Sequence, residues 1–300
     1  MAWQIISSLI LLFSTTLSLV TPTYASSQED PVFLLRNCGL TSGNYTENSP
    51  YHSNLLDAFS NLTSLSSFNA FSKVTVDADE DDTSKVYALY DCRNDLTLRT
   101  CHNCIQTATE KLLQECTTKE AIVMYEECML RYANRQIFAE VELKPFYNDC
   151  EISIPDGGEL NRIVETTIKG LIDEATSENS SGYFATREKT YFEYQKVYSL
   201  VQCTPDLSKE QCKECLVDAL NHTLDCANAS LMISYHHVPS CQMRYDVVRH
   251  FFNLSTSTVS VSPMASPPIS SPQLKTGHGV QRLISIQNFV IVFFIVFCLM

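Results

Sequence analysis

Two stretches of the sequence decide the fold: CRNDLTLRTCHNC at residues 92–104 and CTPDLSKEQCKEC at residues 203–215. Both place cysteines at successive intervals of 9 and 3 residues. Outward from these stretches each half of the chain holds six cysteines: Cys38, Cys92, Cys101, Cys104, Cys116 and Cys128, then Cys150, Cys203, Cys212, Cys215, Cys226 and Cys241. The remaining intervals differ between the halves only by loop-sized amounts. The chain is therefore a tandem duplication of one domain.

The cysteine content and the N-terminus both predict export. Thirteen cysteines in 300 residues are many for a protein kept in a reducing compartment. Residues 5–20 are mostly apolar and precede Thr23-Tyr24-Ala25, so residues 1–25 are predicted to be a signal peptide. Six Asn-x-Ser/Thr sequons agree with an extracellular glycoprotein: Asn44, Asn61, Asn179, Asn221, Asn228 and Asn253.

The periodicity of each copy is mixed and predicts an α+β fold. Apolar residues recur at helical spacing after Pro50, with Ser49 as the expected N-cap, and again after Leu160. A second helix is expected to carry each C-x-x-C pair, with Ser208 and Gln211 as a capping box in the second copy. Strands are predicted at residues 85–90, 122–132, 136–141, 192–201, 231–235 and 242–252. We expect two tandem disulfide-rich domains, 26–143 and 144–253, each with two helices packed on one face of an antiparallel sheet.

The C-terminal part differs in composition from the two domains. Residues 254–282 are rich in Ser, Thr and Pro, which predicts an extended stalk. Residues 283–300 end the chain in an apolar run that is short for a bilayer span. This hydrophobic segment fits a lipid-anchor signal or a truncated membrane helix, with free secretion as a third alternative. In either of the first two cases the segment would attach the protein to a membrane.

The residues predict binding rather than catalysis. With 34 acidic and 21 basic residues the net charge is −13, which disfavours nucleic-acid binding. Each C-x-x-C pair has three readings: half of a zinc site, a redox dithiol, or two half-cystines bonded elsewhere, and the even count in an exported chain favours the last. His236 and His237 are expected on a loop at a strand end. The sequence has no G-x-S-x-G, H-E-x-x-H or Gly-rich phosphate loop, so we predict no enzyme activity, cofactor or metal.

These motifs resemble the plant ginkbilobin-homologous (stress-antifungal) domain, whose signature is C-x8-C-x2-C. The segment from Cys38 to Ser49 and the run Cys128-Met-Leu-Arg-Tyr-Ala-Asn-Arg resemble ectodomains of cysteine-rich receptor-like kinases. Paired copies also resemble cysteine-rich repeat secretory proteins and plasmodesmata-located proteins. The resemblance covers about residues 28–253 and implies six disulfides: 38–116, 92–101 and 104–128 in the first copy, and 150–226, 203–212 and 215–241 in the second.

The resemblance also allows a test of sugar binding. The family's seed lectin binds mannose through an Asn, an Arg and a Glu at fixed distances from the first and last cysteines. The first copy has Gly39, Ile122 and Ala133 at these positions, which cannot replace them. The second copy has Glu151, Tyr235 and Asp246, so that only the two acids Glu151 and Asp246 are weak candidates for ligand binding. These replacements argue against a mannose site.

We therefore expect a non-catalytic recognition module at the plant cell surface, in the apoplast, attached to the plasma membrane or at plasmodesmata. Defence or stress signalling, or cell-to-cell communication, would then proceed through a partner membrane receptor or a cell-wall ligand. The outer faces of the tandem, including an exposed sheet face and aromatic residues, are expected to bind the partner. Two alternatives stay open: a secreted carbohydrate-binding antifungal protein and an apoplastic thiol redox protein.

Overall fold

The structure is a computed structural model, and it describes residues 30–39, 41–77, 84–153, 158–178, 180, 182–228 and 231–252. Each half has the same order of elements. The first half comprises β1 (Phe33–Cys38), α1 (Pro50–Leu65), β2 (Phe71–Val76), β3 (Val86–Cys92), α2 (Leu98–Glu115), β4 (Glu120–Tyr125) and β5 (Cys128–Ala133). The second comprises β6 (Tyr147–Ser153), α3 (Gly158–Ala175), β7 (Phe184–Phe192), β8 (Gln195–Cys203), α4 (Lys209–Asn228), β9 (Leu231–His237) and β10 (Cys241–Asp246).

The strands form two five-stranded antiparallel sheets of identical topology. Their orders are β1-β4-β5-β3-β2 and β6-β9-β10-β8-β7. In both domains the two helices pack on one face of the sheet, where their apolar sides meet alternate residues of the strands. The buried side chains Leu55, Ile105 and Leu130 belong to the first core, and Leu171, Val201 and Met243 belong to the second. The α+β architecture predicted from the sequence is confirmed.

The helix starts follow the predicted capping chemistry. Ser49 caps α1, because its Oγ accepts a hydrogen bond from the His52 N–H at 3.2 Å, and Pro50 occupies the first turn. At the start of α4 the Ser208 N–H donates to Gln211 Oε1 at 2.8 Å, and the Gln211 N–H donates to Ser208 Oγ at 3.2 Å. This reciprocal pair is the predicted capping box.

Three disulfides tie the second helix of each domain to its sheet. The structure joins Cys92 to Cys101, Cys104 to Cys128 and Cys38 to Cys116. The second domain has the corresponding pairs Cys203–Cys212, Cys215–Cys241 and Cys150–Cys226. Cys92 and Cys128 lie directly opposite each other on β3 and β5, as Cys203 and Cys241 do on β8 and β10. The two cysteines of each C-x-x-C, one helical turn apart, therefore reach two neighbouring strands.

Three strand predictions need correction. Residues 122–132 form two strands, because the chain turns at Glu126 and Glu127 between β4 and β5. Residues 136–141 are not a strand but an irregular segment in which Ile137 is buried against the sheet. β10 ends at Asp246, whose Oδ1 accepts hydrogen bonds from the backbone N–H groups of Val248 and Arg249 and so redirects the chain.

The strands that the pattern missed are all at sheet edges: β1, β2, β6 and most of β7. An edge strand exposes part of its surface, and its sequence therefore mixes apolar and polar residues without clear alternation. His236 and His237 also differ from expectation, because both lie within β9 and both are buried.

Candidate functional site

The sequence predicts partner binding at the outer face of each sheet. The outer face is the one turned away from the helices. In the first domain Leu89, Ile122, Met124 and Met129 of this face are at most 5% exposed. They form an apolar cluster of their own with Ile137, which follows β5. The expectation of an exposed sheet face is therefore wrong here, because the connection between the domains covers it.

The outer face of the second sheet is polar and equally buried. Gln202, Tyr235, His237 and Arg244 are at most 5% exposed. Buried polar groups are costly unless they are hydrogen-bonded, so the partners of these side chains show how the face is held. Several partners belong to the first domain. The two domains thus meet through a buried polar interface rather than through a flexible linker.

Gln202 is the centre of this interface. Its Nε2 donates to Asp91 Oδ2 at 2.8 Å and to the Cys92 carbonyl at 2.9 Å, and its Oε1 accepts from the Asn94 N–H at 3.0 Å. Asp91 and Gln202 occupy the same position in the two copies, directly before the second cysteine. The copies therefore meet at corresponding points. Because one copy has an acceptor there and the other an amide that both donates and accepts, the contact is complementary.

Arg244 makes the second group of contacts. Its guanidinium donates to Glu126 Oε2 of the first domain at 3.1 Å and to Asp246 Oδ2 at 3.2 Å. It also lies 4.2 Å from the centre of the Phe251 ring. Arg93 of the first domain donates to the Phe251 carbonyl at 2.8 Å. The segment after β10 therefore closes over the interface, held by one arginine from each domain.

The connecting segment supplies a third group of contacts. The Glu142 N–H donates to Ser240 Oγ at 2.7 Å, and the Ala139 N–H donates to Asp206 Oδ2 at 2.8 Å. Gln211 Nε2 donates to the Ala139 carbonyl at 2.7 Å. Residues 136–142 thus bind both the first sheet and the capped start of α4. This double attachment restricts the orientation of one domain relative to the other.

Asp91 is electrostatically unusual. Burial raises the pKa of this carboxyl well above its usual 3.8, and the nearby Asp206 raises it further, while the Gln202 hydrogen bond acts in the opposite direction. Its Oδ1 is buried and has no hydrogen-bond partner within the described residues. A carboxylate in such a place is disfavoured relative to the neutral acid. The interface therefore contains one group whose protonation stabilises it.

The candidate ligand residues of the second domain do not form a site. Asp246 is fully buried, and its oxygens are engaged by Arg244 and by two backbone N–H groups. Glu151 is exposed on β6. Glu151 of β6 and Asp246 of β10 both lie opposite Ile233 of β9, the strand between them. The Tyr235 hydroxyl donates to Gln242 Oε1 at 2.9 Å. Only Glu151 is therefore accessible to a ligand from solvent.

The corresponding place in the first domain is a small recess. Gly39 and Ile122 line it together with Arg131 and Glu142, and its volume is about 60 Å³. Small-molecule pockets usually have volumes of about 300–1,000 Å³. Arg131 is already engaged, because it donates to Glu142 Oε2 at 2.7 Å and to the Ile137 carbonyl at 2.9 Å. This geometry does not support a sugar site.

The cysteines leave no dithiol in the described part of the chain. All twelve described cysteines are in disulfides, and each member of a C-x-x-C pair is bonded to a cysteine outside the pair. A group of possible metal ligands does occur: Asp218, His222 and His236. Sequence reasoning missed it, although Asp218 and His222 are spaced four apart on a predicted helix.

Several predicted features can be placed only in part. Asn44, Asn61 and Asn221 of the sequons are exposed, and Asn228 ends α4. Asn179, Asn253, the predicted signal peptide, the stalk and the hydrophobic C-terminal segment lie outside the described residues. Among the helices that are described, none combines the length and the apolar character needed to cross a bilayer.

Two α+β domains of equal topology, each held by three disulfides and joined by a buried polar interface, define the class: a tandem of cysteine-rich extracellular-type modules. The chain belongs to the salt stress response/antifungal family, whose model matches residues 37–135 and 150–247. The match covers both copies and includes all twelve paired cysteines. The family predicted from the C-x8-C-x2-C signature is therefore confirmed.

The similar proteins include kinases, secretory proteins and receptor-like ectodomains. Cysteine-rich receptor-like protein kinase 25 of Arabidopsis thaliana is 34% identical over 88% of this chain and 38% of its own length. Cysteine-rich repeat secretory protein 1 of the same species is 41% identical over 65% of this chain and 58% of its own length. The chain thus matches about two fifths to three fifths of these relatives. The same fold occurs in the crystal structure of the tandem DUF26 ectodomain of the Arabidopsis thaliana cysteine-rich receptor-like protein PDLP8, with a TM-score of 0.62. The two chains are 23% identical in sequence, and the match covers 72% of this chain and 98% of that one.

Substitution of Arg244 tests the energetic weight of the interface. Arg244→Ala removes the buried cation from Glu126 and Asp246 and leaves the exposed Arg249, at 3.7 and 3.9 Å, beside them, so we expect a loss of about 3 kcal/mol in the free energy of unfolding. The matched control is Arg162→Ala, which breaks an exposed ion pair with Glu159 on α3 and should leave stability near that of the wild type. Urea unfolding with intact disulfides measures both. Equal stability of the two variants would contradict this role of Arg244.

The raised pKa of Asp91 predicts a pH dependence of stability. The folded protein holds this proton more tightly than the unfolded chain, so the stabilisation is complete below the unfolded pKa and is lost as pH rises through the folded pKa. Asp91→Asn stays neutral and removes this loss. The melting temperature of Asp91→Asn minus that of the wild type should therefore increase from pH 4 to pH 8, as measured by calorimetry. A difference that is constant with pH would refute the assignment.

Proposed function

We propose that the chain is a non-catalytic recognition module on the outer surface of plant cells, acting in defence or stress signalling or in cell-to-cell communication. Its membership of the salt stress response/antifungal family supports this proposal. So does its similarity to a cysteine-rich receptor-like protein kinase and to a cysteine-rich repeat secretory protein. In this proposal the partner is a membrane receptor or a ligand of the cell wall or apoplast.

The observation that carries the proposal is the buried interface around Gln202 and Arg244. It holds the two domains in one orientation, so that exposed side chains of both domains belong to a single preorganised surface. Preorganisation reduces the entropy lost on binding and therefore favours recognition. Asp91, whose pKa is strongly raised, takes part in the contact between the domains. Within the described residues it does not belong to a nucleophile–base pair in a cleft.

Exposed aromatic side chains are the contact points that we propose for the partner. Phe68, after α1, is 76% exposed, and Tyr194, in the turn between β7 and β8, is 95% exposed. Large aromatic residues contribute a disproportionate share of binding energy at protein interfaces. Neither side chain is needed for the helix-side cores of the two domains, so both can be replaced without unfolding the protein.

We also propose that residues 283–300 attach the module to the plasma membrane, with residues 254–282 as the spacer. The apolar composition of this terminus supports attachment. Treatment of intact cells with a phosphatidylinositol-specific lipase should release a lipid-anchored protein into the medium and leave a protein with a membrane helix in place. Recovery of the untreated chain in the medium alone would contradict both forms of attachment.

Crosslinking on intact plant cells tests the recognition proposal. The secreted chain should capture a reproducible surface protein, and Phe68→Ala or Tyr194→Ala should weaken this binding about 30-fold, which corresponds to the loss of about 2 kcal/mol that defines a hot-spot side chain. Lys169→Ala on the exposed side of α3 serves as the matched surface control and should capture as the wild type does. Undiminished capture by a variant lacking both aromatic side chains would refute this surface.

A further inference from the structure

A group of three potential metal ligands lies on the helix-covered side of the second sheet. Asp218 and His222 are four residues apart on α4, which places their side chains on one side of the helix. His236 projects from β9 beneath that helix. One ligand atom of each residue lies within 4.8 Å of those of the other two. The imidazole rings of His222 and His236 are stacked, with their centres 4.5 Å apart.

His236 is the member of the group that ordinary packing explains least. The residue is 1% exposed, and its Nε2 is buried without a hydrogen-bond partner in the described structure. Its Nδ1 lies 3.4 Å from Asn148 Oδ1 on β6. If the amide oxygen accepts from Nδ1–H, the lone pair of the imidazole is on Nε2. A second-shell hydrogen bond of this kind orients histidines that bind metals.

We propose that Asp218, His222 and His236 bind a divalent transition-metal ion, with Zn²⁺ as the reference ion. Two imidazole nitrogens and one carboxylate oxygen are ligands that Zn²⁺ accepts, and a tetrahedral site then has one position left for water. Tetrahedral ligand atoms lie about 3.3 Å apart. The present separations of up to 4.8 Å are larger than that distance, so binding of the ion would require Asp218 and His222, which are half-buried on the helix, to rotate toward His236.

The surroundings of the group favour metal binding. The ring of Phe146 lies against both His222 and His236, with centres 6.1 and 6.0 Å away. This ring partly covers the group and lowers its exposure to water.

The first domain offers a natural comparison. Counted from the matching cysteines, its residues at the three positions are Thr107, Lys111 and Val123, which supply no imidazole or carboxylate. The fold therefore does not require the group, because the equivalent helix and strand pack without it. The group is a property of the second domain alone.

Calorimetric titration with ZnCl₂ tests the proposal on the full secreted chain, with native disulfides and without a polyhistidine tag. We expect one ion per chain, and Asp218→Ala and His222→Ala should each weaken binding at least about 100-fold, since even second-shell changes cost 10–100-fold. His222→Ala keeps the Asn221 sequon, so glycosylation is unchanged. His52→Ala, on α1 of the first domain, is the matched control and should bind as the wild type does.

A second measurement separates loss of the site from loss of the fold. His236→Val installs the residue of the first domain, and circular dichroism should show a folded protein that no longer binds Zn²⁺. Co²⁺ bound to the wild type should give the visible absorption of a tetrahedral site, which His222→Ala abolishes. Wild-type binding weaker than about 1 mM, or equal binding by His222→Ala, would overturn the proposal. Because no partner protein is involved, these results are independent of the proposed recognition function.

Discussion

The structure depends on the covalent clamp between one helix and two neighbouring strands in each domain. Cys101 and Cys104 lie one turn apart on α2, and their partners Cys92 and Cys128 face each other across β3 and β5. The helix can satisfy both bonds only if it lies across this strand pair with its apolar side toward the sheet. The long link from Cys38 to Cys116 adds the edge strand and, in the chain-entropy model, contributes about 4 kcal/mol. The C-x8-C-x2-C spacing in the sequence therefore corresponds to a helix that is bonded across two paired strands.

Because the disulfides and the helix-side core hold each domain together, the outer sheet faces can form the contact between the two domains. The first sheet covers its apolar outer face with the connection to the second domain, and the second sheet places Gln202 and Arg244 against the first domain. The contacts are directional hydrogen bonds and ion pairs. They specify one orientation of the domains, whereas an apolar contact of similar size would tolerate sliding. A fixed orientation of the two copies agrees with the recognition function proposed above.

The two copies have diverged at the positions that carry chemistry. The same strand position holds Asp91 in one copy and Gln202 in the other, and together they form the centre of the interface. At another pair of equivalent positions the first copy has Val123 and the second copy has His236. Only the second copy also has a histidine and an aspartate, His222 and Asp218, beside this position. Duplication thus preserved the clamp and left other positions free to change, which explains how one fold supports different surfaces.

The sequence by itself determined the duplication, the α+β class, the capped helix starts and the family, because these depend on local spacing and on periodicity along the chain. It did not determine the edge strands β1, β2 and β6, whose mixed patterns reflect partial exposure. Only the tertiary structure decided that the outer sheet faces are buried, that Asp246 is enclosed, and that His236 lies near Asp218 and His222. These facts depend on contacts between residues that are distant in the chain, and such contacts are set by how the clamped domains pack together.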